Sequence, residues 1–178
     1  ARFCTVRSCK LINNPTGAVI KSHKADTSPA DEEAPEHITF DDVTISGGSN
    51  GMLIQDGALS NTENITVTDS VFEGVSGGSV IRVGGASSGT LIKNVSIDAE
   101  IYIDGATEAV KVDNIGRSKN VSIDITTTVR DSGNLNNVID VTEQVTDLTI
   151  DGHIDASGAE NGIRVKSEGG SIEGVTVK

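Results

Sequence analysis

A small group of charged residues carries the chemistry that this 178-residue sequence offers. Arg82, Lys111, Asp140 and Arg164 each occupy the same place in a recurring four-residue phrase, after Val19 and Leu53 in the two earlier copies. Lys166 follows Arg164 by two residues, with Lys21 as its counterpart in the first copy. If these positions stack, three cations and one carboxylate stand in a row at steps of about 4.8 Å. A row of Arg and Lys can clamp the carboxylates of an acidic polysaccharide through charge-assisted bonds. In lyase chemistry a cation acidifies the proton beside a uronate carboxylate, and a neutral Arg or Lys can serve as base. The competing expectation is a surface ladder in which Asp140 neutralises Lys111 and Arg164 and nothing is bound. Tyr102, expected to face outward between Ile101 and Ile103, completes the candidate groove of Arg82, Lys111, Asp140, Arg164 and Lys166. Sugar-binding faces usually present several aromatic platforms, so a single tyrosine counts against a tight neutral-sugar site.

Other chemistry-bearing residues read more plainly. Residues 22–37 form an acidic, Pro-containing loop in which Asp26, Asp31, Glu32 and Glu33 are the weak candidates for a calcium site. Their spacing matches no EF-hand, and a solvated loop is the expectation. Asp41, Thr68, Asp98, Asp124 and Asp151 form a second column, expected as turn-forming residues that are wet or screened by cations. Cys4 and Cys9 lack metal-ligand spacing and are expected as small hydrophobes in the core. His153 is expected at the surface. No residue is assigned a catalytic role.

The elements that must position these residues come from a repeat. An apolar residue, Thr or Ser, and a second apolar residue recur as Ile38-Thr39-Phe40, Ile65-Thr66-Val67, Val95-Ser96-Ile97, Val121-Ser122-Ile123, Leu148-Thr149-Ile150 and Val175-Thr176-Val177. The intervals are 27, 30, 26, 27 and 27 residues, and Cys4-Thr5-Val6 is an earlier copy. The four-residue phrase tracks it: Gly17–Ile20, Gly51–Ile54, Val80–Val83, Ala109–Val112, Val138–Val141 and Gly162–Val165. A looser strand lies between the two, at Val43/Ile45, Val71, Ile101/Ile103, Val129 and Ile154. Three strands in about 27 residues leave no room for a helix, which excludes leucine-rich and helical repeats. The expected fold is all-β: a right-handed, single-stranded parallel β-helix of three sheets and about six coils, one domain over residues 1–178. Asn64, Asn94, Asn120 and Asp147 precede successive copies of the first phrase, which predicts an internal asparagine ladder at a tight bend, interrupted by Phe3, His37 and Gly174.

On these phrases and this ladder the sequence resembles the pectin-lyase-like superfamily, which holds pectate lyases, polygalacturonases and the shafts of phage tailspikes. Gly162-Ile163-Arg164-Val165-Lys166 is similar to the Arg-x-Lys motif of polygalacturonases, which implies a contact to a substrate carboxylate. The remainder of that family's catalytic pattern is missing, and no carboxylate pair spaced for inverting hydrolysis can be placed. The resemblance to tailspike shafts implies a trimer.

Composition narrows the function further. The net charge of −12 argues against a nucleic-acid partner and against attraction to an anionic membrane. The apolar runs are too short for a bilayer-spanning helix, so no membrane insertion is expected. Neither end carries a capping segment, which leads us to expect flanking chain, partner subunits in a homo-oligomer, or both. The expected role is a structural and recognition module of a virion-surface or secreted protein, of tailspike, fibre or decoration type, binding host-surface glycans. Its location would then be extracellular or on the virion surface, with no cofactor unless calcium. The alternative is a polysaccharide lyase or glycoside hydrolase of the pectin-lyase-like fold acting on acidic polysaccharide.

Overall fold

The computed structural model describes residues 3–21, 35–55, 61–84, 91–114, 117–168 and 170–178. They form thirteen strands: β1 (Cys4–Ile12), β2 (Thr16–Ile20), β3 (Glu36–Ser46), β4 (Asn50–Ile54), β5 (Thr62–Val75), β6 (Ser79–Val83), β7 (Ile92–Asp104), β8 (Glu108–Val112), β9 (Ser118–Asp131), β10 (Asn137–Thr142), β11 (Val145–His153), β12 (Asn161–Lys166) and β13 (Ile172–Val177). No helix occurs among the described residues. Odd-numbered strands make one seven-stranded sheet in chain order, β1-β3-β5-β7-β9-β11-β13. Even-numbered strands make a second, six-stranded sheet in the order β2-β4-β6-β8-β10-β12. Every strand pairs in parallel with the strands one coil away. The chain is therefore a parallel β-solenoid of about five turns.

The repeat positions stack as the phrases require. Ile38, Ile65, Val95, Val121 and Leu148 stand in register, and so do Phe40, Val67, Ile97, Ile123 and Ile150. All ten are buried. Between these inward columns runs a file of hydroxyls from Thr5 through Thr39, Thr66, Ser96, Ser122 and Thr149 to Thr176. β-branched side chains suit such a pleated, closely layered interior, which explains a core that needs few aromatics. Phe40 and Phe72 are the exceptions, and Phe72 is fully buried. It fits because Gly51 offers no side chain: a Cβ there would lie 3.0 Å from the Phe72 ring and 2.5 Å from the Val80 carbonyl oxygen.

Two sheets replace the three expected. The first phrase and the looser strand share one continuous ladder, because most coils bend without releasing their inter-coil hydrogen bonds. In the first three coils the bend uses a left-handed residue: Ser8 (φ 47°), Asp42 (φ 55°) and Asp69 (φ 48°). From β7 onward the bend is one residue shorter, and β5 absorbs the difference as a bulge between Val67 and Ser70. Ile154 lies outside β11 rather than in a strand. There the chain turns away, held by Asp155: its N–H donates to Thr127 Oγ1 (2.7 Å), and its carboxylate accepts from the Val129 N–H (3.1 Å). The count of turns differs slightly from the six coils expected, because the six stacked strands of the second sheet are separated by five inter-coil steps.

The asparagine ladder is present but sits on the outside of the bend, not within the core. Asn94 Nδ2 donates to Asn64 Oδ1 and Asn120 Nδ2 to Asn94 Oδ1, both at 2.9 Å. His37, Asn64, Asn94, Asn120, Asp147 and Gly174 all have φ between 51° and 65°. The left-handed bend thus continues where the asparagines stop. Phe3 and His37 also extend the column, since their rings stack at 4.8 Å with planes 5° apart. Glu36 and His37 belong to β3, so the acidic loop does not reach residue 37.

Candidate functional site

The outer row of the even-numbered sheet assembles as the repeat predicts. Val19, Leu53, Arg82, Lys111, Asp140 and Arg164 are register partners in unbroken succession. Strand alternation turns their neighbours Met52, Ile81, Val110 and Ile139 inward and leaves this row facing out. Lys166 is on β12 beside Thr142. Asp140 is nevertheless only 1% exposed. Arg164 covers it with a two-pronged bond, Nε to Oδ1 at 2.7 Å and Nη2 to Oδ2 at 2.8 Å. That bond raises the Arg164 guanidinium further above its already high ordinary value.

Asp113 is the partner that the sequence reading missed. It takes Arg82 on both oxygens, with Nε to Oδ1 and Nη2 to Oδ2 each at 2.8 Å, and it has Lys111 Nζ at 3.8 Å. Lys111 is therefore met by Asp113, with Asp140 given over to Arg164. A faint signal was available. Asp113 stands two residues after Lys111, on the same face, opposite Gly84, and a Cβ at Gly84 would collide with Asp113 Oδ1. Lys166 pairs with Glu168 at 2.9 Å, which holds the Glu168 carboxyl below its ordinary value.

Tyr102 lies apart, on β7 of the other sheet. Its hydroxyl donates to Glu100 Oε1 (2.5 Å), and the Arg130 guanidinium rests 3.7 Å from its ring centroid. The bond to Glu100 raises the phenol above its ordinary value, with Arg130 acting in the opposite sense. Arg130 also approaches Glu73 (3.7 Å) and Asp104 (3.8 Å). The structure therefore gathers five of the six candidate groove residues on one sheet and leaves Tyr102 in a separate network.

The concave surface lies elsewhere. Where the odd-numbered sheet bends, Asp69, Ser70, Val71, Asp98, Ala99, Glu100, Asp124 and Thr126 line a cleft of about 400 Å³. Asp98, Asp124 and Asp151 are register partners, as the second column implies. No Arg or Lys lies among the lining residues. Desolvation, then the charges of Asp124 and Asp69, push the Asp98 carboxyl above its ordinary value. The sequence showed the column but not the cleft, because concavity depends on the angle of the bend.

Asp26, Asp31, Glu32 and Glu33 lie outside the described residues. Among the described residues no group of three His, Cys, Asp or Glu is arranged to hold a metal ion. Cys4 is exposed and Cys9 partly buried, both as free thiols. The expected core placement thus fails for Cys4, which sits on an edge strand and lines a cleft of about 200 Å³ with Val6, Ile38 and Phe40. His153 is exposed, as expected. Comparison with protein-family models, with curated proteins and with solved structures finds no match to this chain.

Proposed function

We propose that the chain is a structural and recognition module, a rigid solenoid shaft of a virion-surface or secreted protein that docks on surface glycans. One observation carries this reading. Each cation of the outer row is met by a carboxylate: Arg82 and Lys111 by Asp113, Arg164 by Asp140, Lys166 by Glu168. A lyase groove must keep its cations for the uronate carboxylates of its substrate, whereas a ladder neutralised from within stiffens the sheet and leaves no clamp. The coil length, the left-handed asparagine bends and the aliphatic stack support a place in the pectin-lyase-like group. The strong preference of parallel crossovers supports right-handed winding.

A second reading, a glycoside hydrolase, is favoured by the acidic cleft, where a carboxyl with a raised value sits beside carboxylates. That is the division of labour a general acid and its partner require. Its walls would repel a uronate chain, so its substrate would be neutral.

One assay separates the readings. The chain is applied to a broad glycan panel, with release of reducing sugar and of unsaturated ends followed in parallel. The shaft reading expects glycan retention with neither product. Unsaturated ends that disappear in Arg164→Ala, or reducing ends that disappear in Asp98→Asn, would overturn it in favour of the enzyme. Absence of retention across the panel would remove the recognition role.

A further inference from the structure

Among the described residues two buried side-chain polar atoms lack a hydrogen-bond partner, Asn114 Oδ1 and Ser118 Oγ. Both residues are fully enclosed, at 0% exposure, and both belong to one corner in the middle of the solenoid, where the chain leaves β8 and enters β9. Enclosing an oxygen without a partner is costly, and most such atoms in folded proteins bond to protein or to ordered water. Two of them at a single corner call for a cause.

The register supplies room. Ser118 stands in a column with Thr62, Ile92, Val145 and Ile172. Its direct neighbours are Ile92 and Val145, both fully buried and both bulkier than serine. A serine layered between them fills less of the corner than a valine would, and the edge it offers is polar. The surrounding backbone does not answer that edge. The Arg117 carbonyl already accepts from Asn114 Nδ2 (2.6 Å) and from the Ile92 N–H (3.0 Å), which occupies both of its lone pairs. Thr62 shows how the same column satisfies a hydroxyl directly: equally buried, it donates to the Gln55 carbonyl at 2.7 Å. Ser118 has no such acceptor. Its oxygen and Asn114 Oδ1 are nevertheless tied to one peptide group, because the Asn114 amide bonds to the carbonyl of the residue just before Ser118.

We propose that this corner is a binding site for one internal water molecule, which donates to Asn114 Oδ1 and accepts from Ser118 Oγ. Buried waters bridge two to four polar groups that are otherwise unsatisfied, and this corner presents two. The aliphatic Ile92 and Val145 on either side of Ser118 suit a neutral guest and disfavour an ion. The water completes a layer of the core that side chains leave incomplete, and it can do so whether or not the outer surface binds glycans. Oxygen-17 magnetic relaxation dispersion counts waters held inside a protein, and water-to-amide NOE spectra locate them. The intact chain should show a held water in contact with the Ser118 amide hydrogen. Ser118→Val, which copies the Val145 layer, should reduce the count by one and erase that contact while the remaining amide spectrum stays folded. Ser118→Ala keeps the room but removes one anchor, and should shorten the residence time. A wild-type chain without the contact, or an equal count of held waters in wild type and Ser118→Val, would overturn the proposal.

Discussion

Asp140 and Arg164 illustrate how unequally the ion pairs of this molecule count. Asp140 is almost fully enclosed and depends on one guanidinium, while the Arg7–Asp41 pair is open to water, with Arg7 at 68% exposure. Removing a partner from a buried acceptor costs about 1–3 kcal/mol, whereas an exposed pair contributes about 0–1 kcal/mol. Arg164→Ala should therefore lower the denaturant midpoint clearly and Arg7→Ala barely. Adding Asp140→Ala to Arg164→Ala should recover part of the loss, because no carboxylate is then left stranded. Equal effects of the two arginine variants would contradict this account. Asp98 carries the opposite sign. Its carboxyl is raised above the ordinary aspartate value, so the folded state holds the proton more tightly than the unfolded chain. The stability this supplies is full below the ordinary value and is lost as pH rises through the raised one. Asp98→Asn should accordingly stabilise the protein at neutral pH and make no difference in acid, as followed by denaturation across that range. Little of this residue-scale detail was legible beforehand. The row of Arg82, Lys111, Asp140 and Arg164 could be read from period alone. That Asp113 would take two of its cations could not, because a carboxylate reaching toward the preceding coil leaves no periodic trace except the glycine opposite.

At the scale of elements, the bends decide more than the strands. A strand of Val, Ile and Thr is easily specified, but a solenoid must turn at the same place in each coil. Here a left-handed residue does so, with asparagine in three successive coils. Asparagine tolerates that conformation better than most residues, and its amide bonds to the coils on either side. Asn94 accepts from Asn120 and donates to Asn64. Asn94→Ala loses both bonds and the local side-chain bonding by which asparagine tolerates the left-handed region, a total of about 2–3 kcal/mol. Asn94→Gly loses the bonds but keeps the bend, and should be about 1 kcal/mol milder. Thermal or urea unfolding of the two variants tests the order, and a glycine variant no better than alanine would assign the column's role to the amide alone. The ladder was visible in the sequence because asparagine stands just before three successive copies of the phrase. Its position outside the core was not, since the phrase fixes which residues stack and not which way the bend opens. The same blindness made the looser strand look like a third sheet: only coordinates reveal that hydrogen bonds continue around the shallow corner at Asp42 and Asp69.

For the molecule as a whole, the repeat carried most of the architecture. A constant spacing of 26 to 30 residues between phrases implies parallel layers, and parallel layers imply the rows. The cleft at Asp98 was not legible, because it depends on a bend angle. A mechanical consequence follows from the way the layers are joined. Each coil bonds only to the coils directly before and after it, and those bonds point along the long axis. A pull applied along that axis therefore loads the layers in series, like links in a chain, and the weakest link sets the breaking force. In the seven-stranded sheet the last layer is joined through β13, of six residues, while the middle layers are joined through strands of thirteen and fourteen. Under tension the molecule should give way by peeling from that end, leaving the central coils intact.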